Sequence, residues 1–130
     1  GDNATCLLNN SKVMIRSCND ISEATLLTTD HLNIYKYQSK FGFDNLISKV
    51  KLYRNWGDCY GYYLLATGFA DIMIDPIMSI WDSNALIPII NGAGGMITDY
   101  KGNDAVNGTS IVASNSAIHH DVIRILNDQK

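Results

Sequence analysis

Three aspartates stand at points where the sequence pattern predicts that a strand gives way to a helix. Asp75 ends a strand before Pro76, Asp82 begins the following helix, and Asp58 opens the preceding one. If these connections lie side by side at one sheet edge, the three carboxylates converge. Clustered carboxylates repel, so either one has a raised pKa or a cation neutralises them. Mg²⁺, which prefers hard oxygen ligands, suits such a group.

Each aspartate also has a purely structural interpretation. Asp58 and Asp82 can cap their helices, because a carboxylate accepts the backbone N–H groups that a first turn leaves unpaired. Asp75 can simply end its strand. Spacing alone leaves both interpretations open. The adjacent His119 and His120 point about a quarter-turn apart on a helix, so they cannot share a metal, and the pattern favours a solvated face for both.

Residues 81–95 carry the clearest helix pattern in the chain. Asp82 is the predicted N-cap, and Gly94 with Gly95 is the predicted end, since glycine enters the left-handed conformation of a C-cap freely. Pro88 lies inside the pattern and predicts a kink. The apolar residues of this segment recur at helical spacing and predict one buried face. They are Ala85, Leu86, Ile89, Ile90 and Ala93.

Shorter patterns predict the remaining elements. Residues 4–9 and 12–17 predict a hairpin, residues 25–29 a buried strand, and residues 31–50 two helices broken at Gly42. Ser116 is the predicted cap of a last helix. Strands and helices alternate from about residue 51, and this predicts an α/β layered sandwich, a mixed sheet with helices packed against it.

Composition excludes several classes of protein. The 130 residues suffice for one domain, and 46% hydrophobic with 18% charged residues is typical of a globular chain. A net charge of −3 without a basic stripe argues against a nucleic-acid partner. No apolar run is long enough for a membrane span, and no secretory signal is visible. Three scattered cysteines indicate free thiols, so a cytoplasmic protein is predicted.

Several motifs carry a resemblance that spans nearly the whole chain. Trp81-Asp82 followed by Ala93-Gly94-Gly95 resembles the second signature of the inositol monophosphatase-like family of Mg²⁺-dependent, lithium-sensitive phosphatases. Other segments are most similar to the histidinol-phosphatase branch of that family. They are residues 4–6, 22–30, 54–61, 66–68, 70–71 and 75–76.

The resemblance implies an αβαβα layered fold and a role for each matched position. Asp82 matches the aspartate that binds the metal, which implies Mg²⁺ as cofactor. Asp75 matches the acidic position that binds hydroxyl or amino groups of the substrate. Gly57, Asp58 and Cys59 match the segment that touches its alcohol moiety. The implied partner is a small phosphorylated alcohol, such as histidinol phosphate or inositol monophosphate.

The departures from the family pattern are equally informative. The first signature, Asp-Pro-Ile/Leu-Asp-Gly-Thr, and an upstream glutamate supply further metal ligands in the family, and neither occurs here. Asp75-Pro76-Ile77-Met78 lacks the second aspartate. The missing parts belong to the N-terminal half, so residues 1–130 are predicted to be a single C-terminal domain of a longer phosphatase. No catalytic residue is assigned, and the fragment alone is predicted to be inactive, because one carboxylate rarely holds Mg²⁺.

Two further expectations follow. Half of a layered domain is expected to leave an apolar sheet face or edge uncovered, so self-association into a homo-oligomer is predicted. The alternative to a phosphatase part is a non-catalytic remnant or interaction module of the same fold.

Overall fold

A five-stranded mixed sheet forms the centre of the computed structural model, which describes residues 2–129. Its strands are β3 (Thr25–Thr28), β4 (Leu52–Arg54), β5 (Ile72–Asp75), β6 (Gly95–Thr98) and β7 (Ile111–Asn115). The spatial order is β4-β3-β5-β7-β6. Strand β3 runs parallel to β4 and β5, and β7 runs antiparallel to β5 and β6. The predicted mixed sheet is therefore confirmed.

A separate two-stranded hairpin precedes this sheet. It consists of β1 (Cys6–Leu8) and β2 (Ser11–Val13), which pair antiparallel with Cys6 opposite Val13. The turn places Asn9 and Asn10 at positive φ, which asparagine tolerates better than most residues. The predicted hairpin is confirmed, with shorter strands than the sequence pattern suggested.

Helices cover both faces of the five-stranded sheet. They are α1 (His31–Tyr37), α2 (Lys40–Lys49), α3 (Asp58–Ala66), α4 (Ile80–Gly92) and α5 (Ser116–Leu126). Helices α1, α2 and α5 pack with Leu26 and Ile72 on one face. Helices α3 and α4 pack with Leu27 and Met73 on the other. Alternate residues of one strand thus enter two cores, and the layers are helix, sheet and helix.

This arrangement corrects the expectation of an uncovered sheet face. Within residues 2–129, both faces of the sheet carry helices, and only the outer strands β4 and β6 remain as edges. The part of the chain that the structure describes holds no helix of the length and apolarity that a bilayer crossing requires.

The break predicted at Gly42 is wrong. Helix α1 ends at Tyr37 and α2 begins at Lys40, so Gly42 lies inside α2 and is buried. A Cβ on Gly42 would overlap the backbone carbonyl of Leu126 at the end of α5. Glycine is present there because it allows two helices to approach closely, although its helix propensity is low.

Helix α4 begins earlier and ends earlier than predicted. Its N-cap is Ser79, whose backbone carbonyl accepts from the N–H groups of Asp82 and Ser83. Asp82 therefore lies in the first turn, and the prediction that it caps the helix is wrong. The helix continues through Pro88 to Gly92. Gly94 adopts a positive φ of 86° just beyond the end, and Gly95 already belongs to β6.

Two predictions about the last helix are also wrong. The N-cap is Asn115, whose side chain accepts from the N–H of Ala117, and Ser116 is the first helical residue. His120 is exposed as predicted, but His119 is buried. Its Nδ1 lies 2.7 Å from Ser114 Oγ and its Nε2 lies 2.9 Å from Thr98 Oγ1. Hydroxyl partners from two strands therefore satisfy a polar ring in the core.

Candidate functional site

The three predicted aspartates line one cleft of about 520 Å³. The cleft lies where the parallel strands β3 and β5 end and where α3 and α4 begin. Loops at the carboxyl ends of parallel strands are where open α/β sheets bind ligands. The other lining residues are Thr29, Cys59, Tyr62, Ile77, Met78, Ser79, Trp81, Ala85 and Leu86. The structure thus brings Asp58, Asp75 and Asp82 together, as the sequence pattern predicted.

Asp75 forms the buried floor of the cleft, with an exposed fraction of 4%. Its Oδ2 accepts a hydrogen bond of 2.7 Å from the hydroxyl of Tyr62, which is itself buried on α3. Burial raises the pKa of the Asp75 carboxyl above its usual range, while Tyr62 and Thr29 oppose that shift. The carboxylate is therefore a hydrogen-bond acceptor held in a desolvated position, where a matching donor binds strongly.

Asp58 lies at the rim of the cleft, on the first residue of α3. Its φ of 52° is in the left-handed region, which is uncommon for a residue other than glycine. Its backbone N–H donates to Thr29 Oγ1 at 2.9 Å. The N-cap Gly57 has no room for a side chain, because a Cβ there would overlap Thr29. The rare conformation is thus fixed by the chain that follows β3, and such strained positions concentrate at functional sites.

Asp82 presents its exposed carboxylate from the first turn of α4. An acidic side chain there is favoured by the helix dipole. Cys59 is exposed on the first turn of α3 in the same cleft. Trp81, with an exposed fraction of 79%, provides an apolar wall beside Asp82.

The charge of the cleft is one-sided. Among its described lining residues, three are aspartates and none is lysine, arginine or histidine. Nevertheless, residues 2–129 place no group of three or more His, Cys, Asp and Glu side chains so that they could hold a metal ion. Asp82 can give a cation one carboxylate ligand, and a complete metal site would need ligands beyond this set.

A larger cavity of about 680 Å³ opens at the opposite end of the sheet, beside Thr25 and Leu52, where β3 and β4 begin. Four of its five charged groups form two ion pairs, and the fifth, Asp20, accepts a hydrogen bond from the Ser22 N–H. Arg16 Nε donates to the buried Asp71 at 2.8 Å, and Lys51 contacts Glu23 at 3.2 Å. These internal pairs indicate a structural role for this region, in contrast to the unbalanced charge of the acidic cleft.

Two residues of the site were missed by sequence reasoning. Thr29 ends a run of β-branched residues and leucines, and Tyr62 lies in an apolar helix, so both looked like packing residues. The separations from Asp58 and Asp75 to their hydrogen-bond partners are 29 and 13 positions. The parallel pairing of β3 with β5, together with the packing of α3 against β5, brings these residues to one point.

The fold and the acidic cleft together define a layered α/β domain of the kind that binds ligands at its strand ends. Comparison with known proteins identifies its family. Residues 2–130 match the model of the inositol monophosphatase family, and the chain belongs to that family. The match corresponds to the C-terminal half of the family fold, so the resemblance found in the sequence is confirmed.

Individual relatives agree with this assignment. The chain is 36% identical to a histidinol-phosphatase of Chlorobaculum parvum over 117 residues, which cover 89% of this chain and 45% of that protein. It is 38% identical to a histidinol-phosphatase of Mycobacterium tuberculosis, over 65% of this chain and 33% of that protein. The chain therefore spans less than half the length of these curated relatives.

Solved structures share the fold. An inositol monophosphatase from Zymomonas mobilis superposes with a TM-score of 0.84 at 26% identity, over 92% of this chain and 48% of that one. An inositol monophosphatase from Anabaena gives a TM-score of 0.77 at 22% identity, over 91% of this chain and 50% of that one. The αβ layering predicted from the sequence is thereby confirmed.

Proposed function

We propose that this chain is the C-terminal, substrate-recognising domain of a longer Mg²⁺-dependent phosphomonoesterase that hydrolyses a small alcohol phosphate. The observation that carries this proposal is the cleft that Asp58, Asp75 and Asp82 line without a basic side chain among the other lining residues. Membership of the inositol monophosphatase family supports the reaction class.

The charge of the cleft indicates that the phosphate and the alcohol moiety of the substrate contact different groups. Three carboxylates repel a phosphate group, so the phosphate lies against a cation or against groups outside this chain. The hydroxyl or amino groups of the alcohol instead face Asp75 and Asp58, which accept hydrogen bonds from them. Cys59, which lines the cleft, borders the same part of the substrate in this proposal, and so does Gly57, which lies outside the lining as the N-cap of α3.

Asp82 is the proposed metal ligand of this domain. Mg²⁺ is commonly held by one or two carboxylates together with phosphate oxygens of the substrate, and an exposed carboxylate at the cleft fits that requirement. The described residues do not complete a metal site by themselves. The remaining ligands are therefore proposed to come from an N-terminal half, and the 130-residue chain alone is proposed to be inactive.

Histidinol phosphate is the preferred substrate in this proposal. Its amino group and imidazole are cationic or can become so, and they complement the acidic rim better than the neutral hydroxyls of an inositol phosphate. The curated histidinol-phosphatase of Chlorobaculum parvum, matched over 89% of this chain, points the same way. Asp58, exposed at the rim, is the residue proposed to distinguish the two substrates.

The alternative to this proposal is a non-catalytic remnant or interaction module of the same fold. The two functions differ in what Asp82 does, because a module has no need of a carboxylate at that position.

Phosphate release by the full-length protein tests this choice, with histidinol phosphate and inositol monophosphate as substrates and with or without Mg²⁺. Asp82→Asn is expected to lower kcat/KM at least about a hundredfold, since a lost metal ligand removes charge stabilisation at the reacting phosphate. Asp121→Asn on α5, on the other side of the sheet, is the matched control and should leave the rate unchanged. Wild-type rates in Asp82→Asn would contradict the metal assignment.

Substrate choice requires a separate comparison. Asp58→Ala is expected to lower the preference for histidinol phosphate over inositol monophosphate, because the rim loses one negative charge. The ratio of the two kcat/KM values measures this preference. An unchanged ratio would remove Asp58 from substrate recognition.

We also propose that the domain self-associates into a homo-oligomer through the edges of its sheet. Strands β4 and β6 are the outer strands of the described sheet, and unpaired edges favour association. Multi-angle light scattering should show a mass above that of one chain, and a monomer at all concentrations tested would refute the proposal.

A further inference from the structure

We propose that Tyr62 is a positioning residue that fixes the Asp75 carboxylate for recognition of the substrate's alcohol moiety. This inference rests on the proposed function of the cleft. It assigns a role in substrate recognition to Tyr62, a buried residue of α3 that belongs to no recognisable sequence motif.

The hydrogen bond between the two residues is the first support. The Tyr62 hydroxyl donates to Asp75 Oδ2 at 2.7 Å, and this bond is shielded from solvent, since Tyr62 and Asp75 expose 2% and 4% of their surface. One carboxylate oxygen is thus occupied within the protein. Asp75 also lines the cleft, so the bond to Tyr62 restricts the rotation of a carboxylate that a ligand can reach.

The way in which α3 packs is the second support. Gly61, next to Tyr62, lies against β5, and a Cβ on Gly61 would come within 2.5 Å of Met73 Sδ and 2.8 Å of the Trp56 carbonyl oxygen. The absent side chain allows α3 to approach β5 closely. Because Met73 and Asp75 belong to the same strand, this close approach also brings the Tyr62 hydroxyl to Asp75. Gly61 is therefore unfavourable for the helix but allows Tyr62 to reach Asp75.

Burial explains why Asp75 needs such a partner. A desolvated carboxylate with too few donors tends to take up a proton, and a protonated Asp75 would present an O–H donor in place of one of its acceptor sites. Tyr62 acts against this tendency more strongly than Thr29 does, so its removal should raise the pKa of Asp75 even while Thr29 remains. It acts through Asp75 and needs no contact with the substrate.

The test combines kinetics and titration of the full-length protein. Tyr62→Phe keeps the ring in the core and removes the hydroxyl. KM for the preferred alcohol phosphate is expected to rise roughly tenfold while kcat stays within about threefold. The variant loses the hydrogen bond from Tyr62 to the charged Asp75, which weakens recognition of the alcohol moiety but does not alter the groups at the reacting phosphate. In NMR with ¹³C-carboxyl-labelled aspartate, assigned with Asp75→Asn, the Asp75 signal should titrate at higher pH than in the wild type.

Two further variants keep the test decisive. Tyr63→Phe is the matched control on the same helix, since Tyr63 is 44% exposed and lies outside the cleft lining, and it should change neither measurement. Gly61→Ala retains the Tyr62 hydroxyl but pushes α3 away from Met73, and it should reproduce both changes.

The outcomes separate this inference from the proposed function. A rise in KM without a shift in the Asp75 titration, or a shift without a rise in KM, would overturn the role of Tyr62, as would wild-type values for both. If the wild type hydrolyses neither phosphate, the proposed function fails, and the titration alone then decides whether Tyr62 holds Asp75.

Discussion

Thr29 and Asp58 are joined by a hydrogen bond that links the end of strand β3 to the start of helix α3. Thr29 Oγ1 accepts from the Asp58 backbone N–H at 2.9 Å, and it thereby acts as a cap for a helix whose own N-cap, Gly57, has no side chain. The bond also stabilises the left-handed conformation of Asp58, whose φ is 52°. The rim of the acidic cleft therefore depends on a residue of a different element.

Replacing Thr29 with valine should destabilise the protein and disturb the cleft. Thr29→Val keeps the β-branched shape but leaves the Asp58 N–H without its acceptor, so we expect a loss of about 1 kcal/mol of unfolding free energy, as for other lost caps. Urea denaturation measures this loss. Thr29→Ser is the control, since it retains the hydroxyl, and equal stability of the two variants would show that the bond contributes nothing.

The sequence allowed the elements of the site to be predicted, but not the contacts between them. Asp75 and Asp82 could be placed because turn and helix signals mark strand and helix ends locally. The roles of Thr29 and Tyr62 arise from the pairing of β3 with β5 and from the approach of α3, which are set by distant parts of the chain. Local pattern carries no information about such contacts.

Two other errors have the same physical origin. Gly42 was predicted to break a helix because glycine has low helix propensity. It lies inside α2 instead, because the backbone carbonyl of Leu126, near the other end of the chain, packs against it and leaves no room for a side chain. His119 looked solvated beside His120, whereas it finds Thr98 and Ser114 on β6 and β7. In both cases, tertiary contacts overrode a correct local tendency.

Gly42→Ala should change the stability of the protein in the direction opposite to the one that helix propensity predicts. In an ordinary helix interior, glycine to alanine stabilises by about 1 kcal/mol. Here the new methyl group would overlap the Leu126 carbonyl, so Gly42→Ala should instead destabilise by about 1–3 kcal/mol, as expected for overpacking. Urea denaturation provides the measurement. Ser48→Ala, at an exposed position of α2, is the control and should be neutral or slightly stabilising. A stabilised Gly42→Ala protein would show that α2 and α5 are packed less closely.

His119 should make the protein sensitive to acid. Burial lowers the pKa of His119 from 6.5 to about 4, and the neighbouring His120 adds to that effect. The unfolded chain therefore binds this proton more readily than the folded protein between these two pH values. Stability should fall as the pH drops below 6.5 and the loss should level off near 4, with a contribution of about 3 kcal/mol at most.

The contribution of His119 can be separated from that of the acidic residues by comparing variants. Unfolding free energies of wild type and His119→Gln, measured from pH 7 to pH 4.5, should converge as the pH falls, because the variant lacks the titrating ring. His120→Gln removes an exposed histidine and should keep most of the pH dependence of the wild type, because burial, the larger cause of the lowered His119 pKa, is unchanged. Parallel curves for wild type and His119→Gln would exclude His119 as the source of the acid sensitivity.

Arg16 should stabilise the fold through one buried carboxylate. Asp71 is 1% exposed, and it accepts hydrogen bonds from Arg16 Nε at 2.8 Å and from the Thr25 N–H at 2.7 Å. Arg16→Met would leave this charge without its counterion. Removing one partner of a fully buried pair costs about 3–5 kcal/mol, and since the Arg16 side chain is 42% exposed, we expect about 2 kcal/mol in urea denaturation.

Two comparisons establish that this loss comes from the isolated charge. Lys51→Met breaks the exposed pair with Glu23, and it should change stability by no more than about 0.5 kcal/mol. The double variant Arg16→Met with Asp71→Asn should recover about 1 kcal/mol relative to Arg16→Met, because a neutral amide at position 71 still accepts from Thr25 without requiring a counterion. Without such a recovery, the loss would have to come from the packing of the arginine side chain.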